Sequence, residues 1–267
     1  MFRYLAVAFF LLIGCGAALA DAKRDCALLS GDTAITACDQ AIRQNPRDAN
    51  SYNNRGLEYE ARGDSDQAIA NYTAAIDIKP EYPSAYYNRA IAYRTKGDLD
   101  RALADYTNAI EIDPDFSLAY YNRGLAYEAK GDLDHALADC GEAIRLDPTQ
   151  ADVFHRRCRD RALAGLDLKQ ALADCNESLR LRPDNGGTLN SLGMVHYKLA
   201  AFDLSIADYS AAIVQNPDDA GSLYGRGMAK LKNGDTQGGN ADITAAKAIS
   251  PDIDEVYAGY GMTLRPE

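Results

Sequence analysis

Seven prolines stand at positions 46, 80, 114, 148, 183, 217 and 251, separated by 34, 34, 34, 35, 34 and 34 residues. A compact domain has no reason to space a helix-breaking residue so evenly, whereas a chain of repeated supersecondary units does. With each unit numbered from the third residue after its proline, Ala49 is position 1 of the first full unit. Position 4 then reads Tyr52, Tyr86, Tyr120, Phe154, Leu189 and Leu223, and position 8 is always small: Gly56, Ala90, Gly124, Cys158, Gly193 and Gly227. The fourth unit carries a one-residue insertion, after which position 20 reads Ala68, Ala102, Ala136, Ala171, Ser205 and Gly239. Position 24 reads Tyr72, Tyr106, Cys140, Cys175, Tyr209 and Ile243.

These spacings describe two amphipathic helices per unit. Positions 4, 8 and 11 share one face of a first helix, and positions 20, 24 and 27 share one face of a second. Small residues at 8 and 20 let the two backbones approach, while bulky residues at 4 and 24 fill the space beside the crossing. Between the helices, Gly63, Gly97, Gly131 and Gly234 suit the left-handed residue that ends a helix. The Asp after each of them (Asp64, Asp98, Asp132, Asp235) suits an N-cap.

Stretches such as Tyr120-Tyr121-Asn122-Arg123-Gly124-Leu125-Ala126-Tyr127 and Ala136-Leu137-Ala138-Asp139-Cys140 resemble tetratricopeptide repeats. The resemblance implies an all-α fold, a right-handed superhelical solenoid of antiparallel helix pairs. Six repeats are expected, at 49–82, 83–116, 117–150, 151–185, 186–219 and 220–253. A degenerate half repeat over 21–48 would precede them, and a capping helix over 254–267 would cover the last apolar face.

Residues 1–20 have a different chemistry: Arg3, an apolar run from Leu5 to Ile13, and Ala18-Leu19-Ala20 before Asp21. This reads as a signal peptide cleaved after Ala20, with a periplasmic or secreted destination. The alternative is a lipoprotein anchored through Cys15, since Leu12-Ile13-Gly14-Cys15 is similar to a bacterial lipoprotein box. Either destination is oxidising, which gives the cysteines a structural meaning. Cys26 and Cys38 flank the Ser30-Gly31-Asp32 turn, and a disulfide between them would add roughly 3 kcal/mol to a hairpin with little core. Cys140, Cys158 and Cys175 occupy packing positions 24, 8 and 24. They are read either as buried thiols or, for Cys158 and Cys175, as a second bridge.

Arg recurs at position 7 (Arg55, Arg89, Arg123, Arg157, Arg226) and Asp at position 23 (Asp105, Asp139, Asp174, Asp208, Asp242). The pair is expected to bridge the two helices of a repeat. The fifth repeat departs from the pattern, with Leu192 opposite Asp208. Position 6 carries Asn54, Asn88 and Asn122 in three successive repeats. In the family this position lines the concave surface, where an amide can both donate to and accept from a peptide backbone. The row resembles the asparagine ladder in the repeat domain of protein O-GlcNAc transferases. Tyr87 and Tyr121 beside it would supply apolar contact.

In the fourth repeat the same face becomes basic, with His155, Arg156 and Arg159, suited to a carboxylate. Compared with the family's chaperone-binding dicarboxylate clamps, only Asn122 and Arg156 of five positions match, so no heat-shock protein tail is expected.

The chain carries 28 Lys and Arg against 39 Asp and Glu, a net charge of −11. That field disfavours nucleic acid and anionic lipid. Its three histidines show no metal-ligand spacing, and no phosphate loop or nucleophile motif occurs. The sequence therefore predicts a non-catalytic protein-protein interaction scaffold without cofactor, metal or small-molecule substrate. Its partner would be a protein or peptide held in the concave groove, with a membrane involved only if Cys15 is lipidated. The alternative is a structural subunit or lipoprotein of a bacterial envelope assembly.

Overall fold

The computed structural model describes residues 21–263. The expected leader, with Cys15 and the Ala20 cleavage site, lies outside the described residues, as does the end of the expected cap, 264–267. Among the described residues there are fifteen helical segments and no strand. Helix α1 covers residues 21–28 and α2 Gly31–Gln44. Six hairpins follow: α3 (Ala49–Ala61) with α4 (Ser65–Ile78), α5 (Pro83–Thr95) with α6 (Leu99–Ile112), and α7 (Ser117–Ala129) with α8 (Leu133–Leu146). Then come α9 (Ala151–Ala164) with α10 (Leu168–Leu181), α11 (Gly186–Lys198) with α12 (Phe202–Gln215), and α13 (Ala220–Lys232) with α14 (Thr236–Ile249). The last helix, α15, spans Ile253–Gly259 and is shorter than the 254–267 expected, because Gly261 turns the chain at φ +75°. The chain divides into two compact units, Met1–Ala136 and Leu137–Glu267.

The hairpin turns follow from local chemistry. Gly63, Gly97, Gly131 and Gly234 all have positive φ, between 77° and 92°, and the next amide bonds back to the helix, as in Asp64 N to Tyr59 O at 2.9 Å. Asp64, Asp98, Asp132 and Asp235 each accept a backbone N–H three residues on. In the fifth repeat the turn reads Leu199-Ala200-Ala201. Ala200 takes the glycine's place with φ 58°, a conformation costing a side-chain-bearing residue about 1 kcal/mol. The insertion in the fourth repeat lengthens its first helix to 14 residues where the others have 13.

Within each hairpin the small positions work as the spacing implied. A Cβ on Gly227 would meet the Gly239 carbonyl at 2.9 Å, so positions 8 and 20 are in backbone contact. A Cβ on Gly56 would fall 2.5 Å from the Tyr72 ring, and one on Gly193 2.9 Å from Tyr209. Position 8 therefore faces position 24. In the fourth repeat those two positions are Cys158 and Cys175, which form a disulfide with Cα atoms 5.4 Å apart. A second disulfide joins Cys26 of α1 to Cys38 of α2. Cys140 is a buried free thiol, its pKa pushed up to about 12 by desolvation. At the C-terminal end, α15 covers α13: Tyr257 packs on Tyr224 with ring centroids 4.8 Å apart and donates its hydroxyl to the Gly221 carbonyl at 2.6 Å.

The position-7 arginines do more than bridge two helices. Arg89 pairs with Asp105 through two bonds of 2.7 and 2.9 Å, and Arg226 with Asp242 through bonds of 2.7 and 2.8 Å. The other guanidinium nitrogen reaches back to position 25 of the preceding repeat: Arg89 to Thr73 at 2.9 Å, Arg123 to Thr107 at 3.2 Å, Arg226 to Ser210 at 3.4 Å. Arg55, whose own position 23 is Asn71, reaches back to Asp39 of α2 at 2.5 Å. In the fifth repeat, where Leu192 replaces the arginine, Asp208 is taken by His196 at 2.5 Å. A second series of pairs (Arg62 with Asp32, Lys96 with Asp66, Lys130 with Asp100) links the turns of successive hairpins along an exposed edge.

Asp174 is the most enclosed acid of the position-23 series, its side chain 1% exposed between Arg157 and Arg161. Breaking a buried pair from one side leaves charge without a partner. Asp174→Ala is expected to lower stability by about 3 kcal/mol in urea unfolding. Asp218→Ala, at an exposed site, should change it by less than about 0.5 kcal/mol.

Candidate functional site

The side chains at positions 5 and 6 project from the first helix of each hairpin. In the N-terminal unit they are Asn53 and Asn54 on α3, Tyr87 and Asn88 on α5, and Tyr121 and Asn122 on α7. Asn88 donates to the Asn53 amide oxygen at 3.0 Å, and Asn122 donates to the Tyr87 hydroxyl at 3.0 Å. Position 6 of one repeat thus bonds position 5 of the repeat before it. Asn122 also donates to the Leu118 carbonyl at 3.0 Å, so both of its amide hydrogens are engaged, and the residue is buried.

Asn54 and Asn88 are half-buried and keep a face toward solvent. Tyr87 is half-buried against Phe116, with ring centroids 4.9 Å apart, and burial raises its phenol pKa. Tyr121 is half-buried. Leu57 and Leu118 stand one helical turn from the asparagines on α3 and α7 and are 44% and 46% exposed. The strip therefore alternates amides with open apolar contact.

In the C-terminal unit, α9 presents His155, Arg156 and Arg159. His155 lies over Gly187, whose missing Cβ would sit 3.0 Å from the imidazole, and its Nε2 is 3.4 Å from the Ser191 hydroxyl. This repeats the position 6 to position 5 contact of the N-terminal unit. Burial lowers the imidazole pKa to about 4, and the positive charges of Arg159 and Arg156 push the same way. The ring is therefore neutral at neutral pH, and the two guanidiniums carry the cationic character of this face. Arg159 also contacts the buried Asp160 at 3.4 Å. The site residues expected from the sequence thus fall into two groups, five in one unit and three in the other.

The coupling of positions 5 and 6 was not visible in repeat spacing, because the two partners belong to different repeats and vary in type. Also unforeseen is a cavity in the C-terminal unit bordered by Tyr197, Lys198, Phe202, Lys232 and Tyr260. The sequence signal for it was the loss of the Gly-Asp turn in the fifth repeat. No group of three or more His, Cys, Asp or Glu suited to a metal occurs among the described residues. Among those residues, no helix is long and apolar enough to cross a membrane.

Family models described as tetratricopeptide repeat match residues 37–70, 117–150 and 190–252, and one described as TPR repeat matches 56–97 and 92–131. No curated protein sequence matches. Among solved structures, the chain is similar to YrrB, described as a TPR protein with an unusual peptide-binding site. The two are 24% identical with a TM-score of 0.60, over 68% of this chain and 93% of that one. It is also similar to PilF of Pseudomonas aeruginosa, at 21% identity and TM-score 0.66, over 80% of this chain and 99% of that one. A third similar structure is MamA, at 20% identity and TM-score 0.57, over 69% and 98% of the respective chains.

The His155 environment carries a pH signature. Since the folded protein holds this imidazole at about 4 and an unfolded one titrates near 6.5, the unfolded state binds more protons between those values. Stability is therefore expected to fall as pH drops from about 6.5 toward 4. In His155→Gln the dependence of the urea midpoint on pH should flatten over that window.

Proposed function

Because this chain belongs to the tetratricopeptide-repeat proteins, we propose that it is a non-catalytic scaffold that holds an extended peptide segment of a partner protein along the first-helix face of its N-terminal unit. The observation that carries this reading is the mixed strip on α3, α5 and α7. Half-buried amides at Asn54 and Asn88 lie beside the open side chains of Leu57 and Leu118. Amides can bond a peptide backbone whatever its side chains, at about 1 kcal/mol net per bond. The leucines give it apolar surface to cover. Asn122 has a supporting role in this scheme, fixing Tyr87 and the spacing of two repeats through its buried amide. Such preorganisation reduces the ordering cost of binding. On the C-terminal unit, Arg156 and Arg159 offer a place for an acidic side chain.

YrrB's description as a TPR protein with a peptide-binding site agrees with the proposal in kind. We extend the reading to an exported protein acting outside the cytoplasm, on the leader-like residues 1–20 and on two disulfides, which persist in oxidising compartments.

The test is selection of a random dodecapeptide library, displayed on phage, against the full chain. Affinities of the selected peptides are then measured by fluorescence polarisation. Asn54→Ala, whose site makes no hydrogen bond to another repeat among the described residues, should weaken binding about fivefold. Asn54/Asn88/Asn122→Ala should weaken it by tenfold or more. Unchanged affinity in the triple variant, or peptides lost only on Arg156/Arg159→Ala, would remove the strip from the mechanism.

A further inference from the structure

The C-terminal unit contains a cavity of about 880 Å³, within the size range of sites for small molecules and side chains. Leu163 and the rings of Tyr197, Phe202 and Tyr260 supply its apolar border, and Lys198 and Lys232 supply two ammonium groups. Tyr197 and Phe202 hold each other edge to face at 5.6 Å, which fixes that wall. Among the described residues, no Asp or Glu borders the cavity.

The two lysines stand at position 13, one residue before the position-14 cations that link successive hairpins. Arg62, Lys96 and Lys130 each pair with an Asp of the preceding hairpin. Lys198 and Lys232 meet no carboxylate among the described residues, in a chain with 39 acidic residues. Lys198 is half-buried, and its ammonium donates to the Leu163 carbonyl at the end of α9 at 3.0 Å, leaving two of its three hydrogens free. Lys232 is exposed.

The rim is also where the repeat pattern is broken. The turn Leu199-Ala200-Ala201 lacks the usual glycine and capping aspartate, and Ala200 is held at φ 58°. Strain retained at the border of a cavity marks a place where the fold has been bent away from its own consensus.

We infer that this cavity is a second binding site, which takes the free carboxylate end of a peptide whose last residue is aromatic or large and aliphatic. The carboxylate lies between the Lys198 and Lys232 ammonium groups, and the terminal side chain packs on Tyr197, Phe202 and Tyr260. Two cations without anions favour a negative ligand, and the aromatic border favours one with an apolar body over a bare inorganic ion. The site is built from residues of the C-terminal unit alone and does not depend on the asparagine strip.

The test is isothermal titration calorimetry of the full chain with acetyl-Gly-Ser-Leu-Phe, as the free acid and as the C-terminal amide. 3-Phenylpropionate serves as the carboxylate without a peptide chain. The free acid should bind at least tenfold more tightly than the amide and more tightly than 3-phenylpropionate. Lys232→Gln should abolish most of that preference while leaving thermal unfolding unchanged, and Lys232→Arg should retain it. Asn54/Asn88/Asn122→Ala should also retain it, so that failure of the strip and failure of the cavity are told apart. Equal affinity for acid and amide, no measurable heat with either, or a preference surviving in Lys198→Gln/Lys232→Gln would overturn the assignment. Binding of 3-phenylpropionate as tight as the tetrapeptide acid would also overturn it, by showing that a peptide chain adds nothing.

Discussion

The position-7 guanidinium is the interaction on which the repeat architecture turns. One arm holds a largely buried aspartate on the second helix of its own hairpin, and the other reaches a hydroxyl or carboxylate on the hairpin before it. A single side chain thus sets both the closure of a repeat and its placement against its neighbour. The geometry suits arginine, whose donors point in fixed and separate directions, and would not be reproduced by lysine. Its weakness is the burial of charge, which is favourable only while every partner is present. The two departures are consistent with this. Arg55 has Asn71 in place of an aspartate and takes its charge partner from the preceding hairpin, while Asp208, without an arginine, takes His196.

A similar logic governs the face proposed for binding. The asparagine row is part proposed ligand surface and part internal joint. Asn122 is fully engaged by Tyr87 and its own helix, while Asn54 and Asn88 keep solvent access. The joint holds the spacing of neighbouring helices, and that spacing presents the remaining amides and the two leucines as a strip. A peptide meeting such a surface orders itself, while the protein has little left to order. The C-terminal unit repeats the joint with His155 and Ser191 but surrounds it with guanidiniums, so the same position in the repeat acquires a different sign.

The repeat, its hairpin turns and the close approach of positions 8 and 20 were all legible in the sequence, because each rests on a residue type that recurs at one spacing. Gly63 and Asp64 carry their turn in two letters, and Cys158 with Cys175 simply oxidises a contact that Gly56 and Tyr72 make by packing. What escaped were contacts between repeats. Thr73, Thr107, Ser210 and Asp39 answer the same arginine position with different side chains, so no column of the alignment announces them. The asparagines read as a surface row because spacing reports a face and says nothing of lateral bonds. The lysine-bordered cavity draws on Leu163, Lys198 and Lys232, which share position 13 of three successive repeats, and on Tyr260 beyond them. Because that position changes residue type along the chain (Ala61, Thr95, Ala129), spacing did not mark it. Only the missing turn glycine at Ala200 pointed there.

The central claim is that partners lie along the first-helix face of the N-terminal unit. Its most direct measurement is site-specific photocrosslinking with benzoylphenylalanine in the presence of a library-selected dodecapeptide. Four positions are compared: Leu57 and Leu118 on the first helices, and the exposed Ala70 and Ala104 on the second helices. Peptide adducts are expected from Leu57 and Leu118 and none from Ala70 or Ala104. Adducts confined to Ala70 and Ala104 would contradict it and move binding to the opposite side of the hairpins.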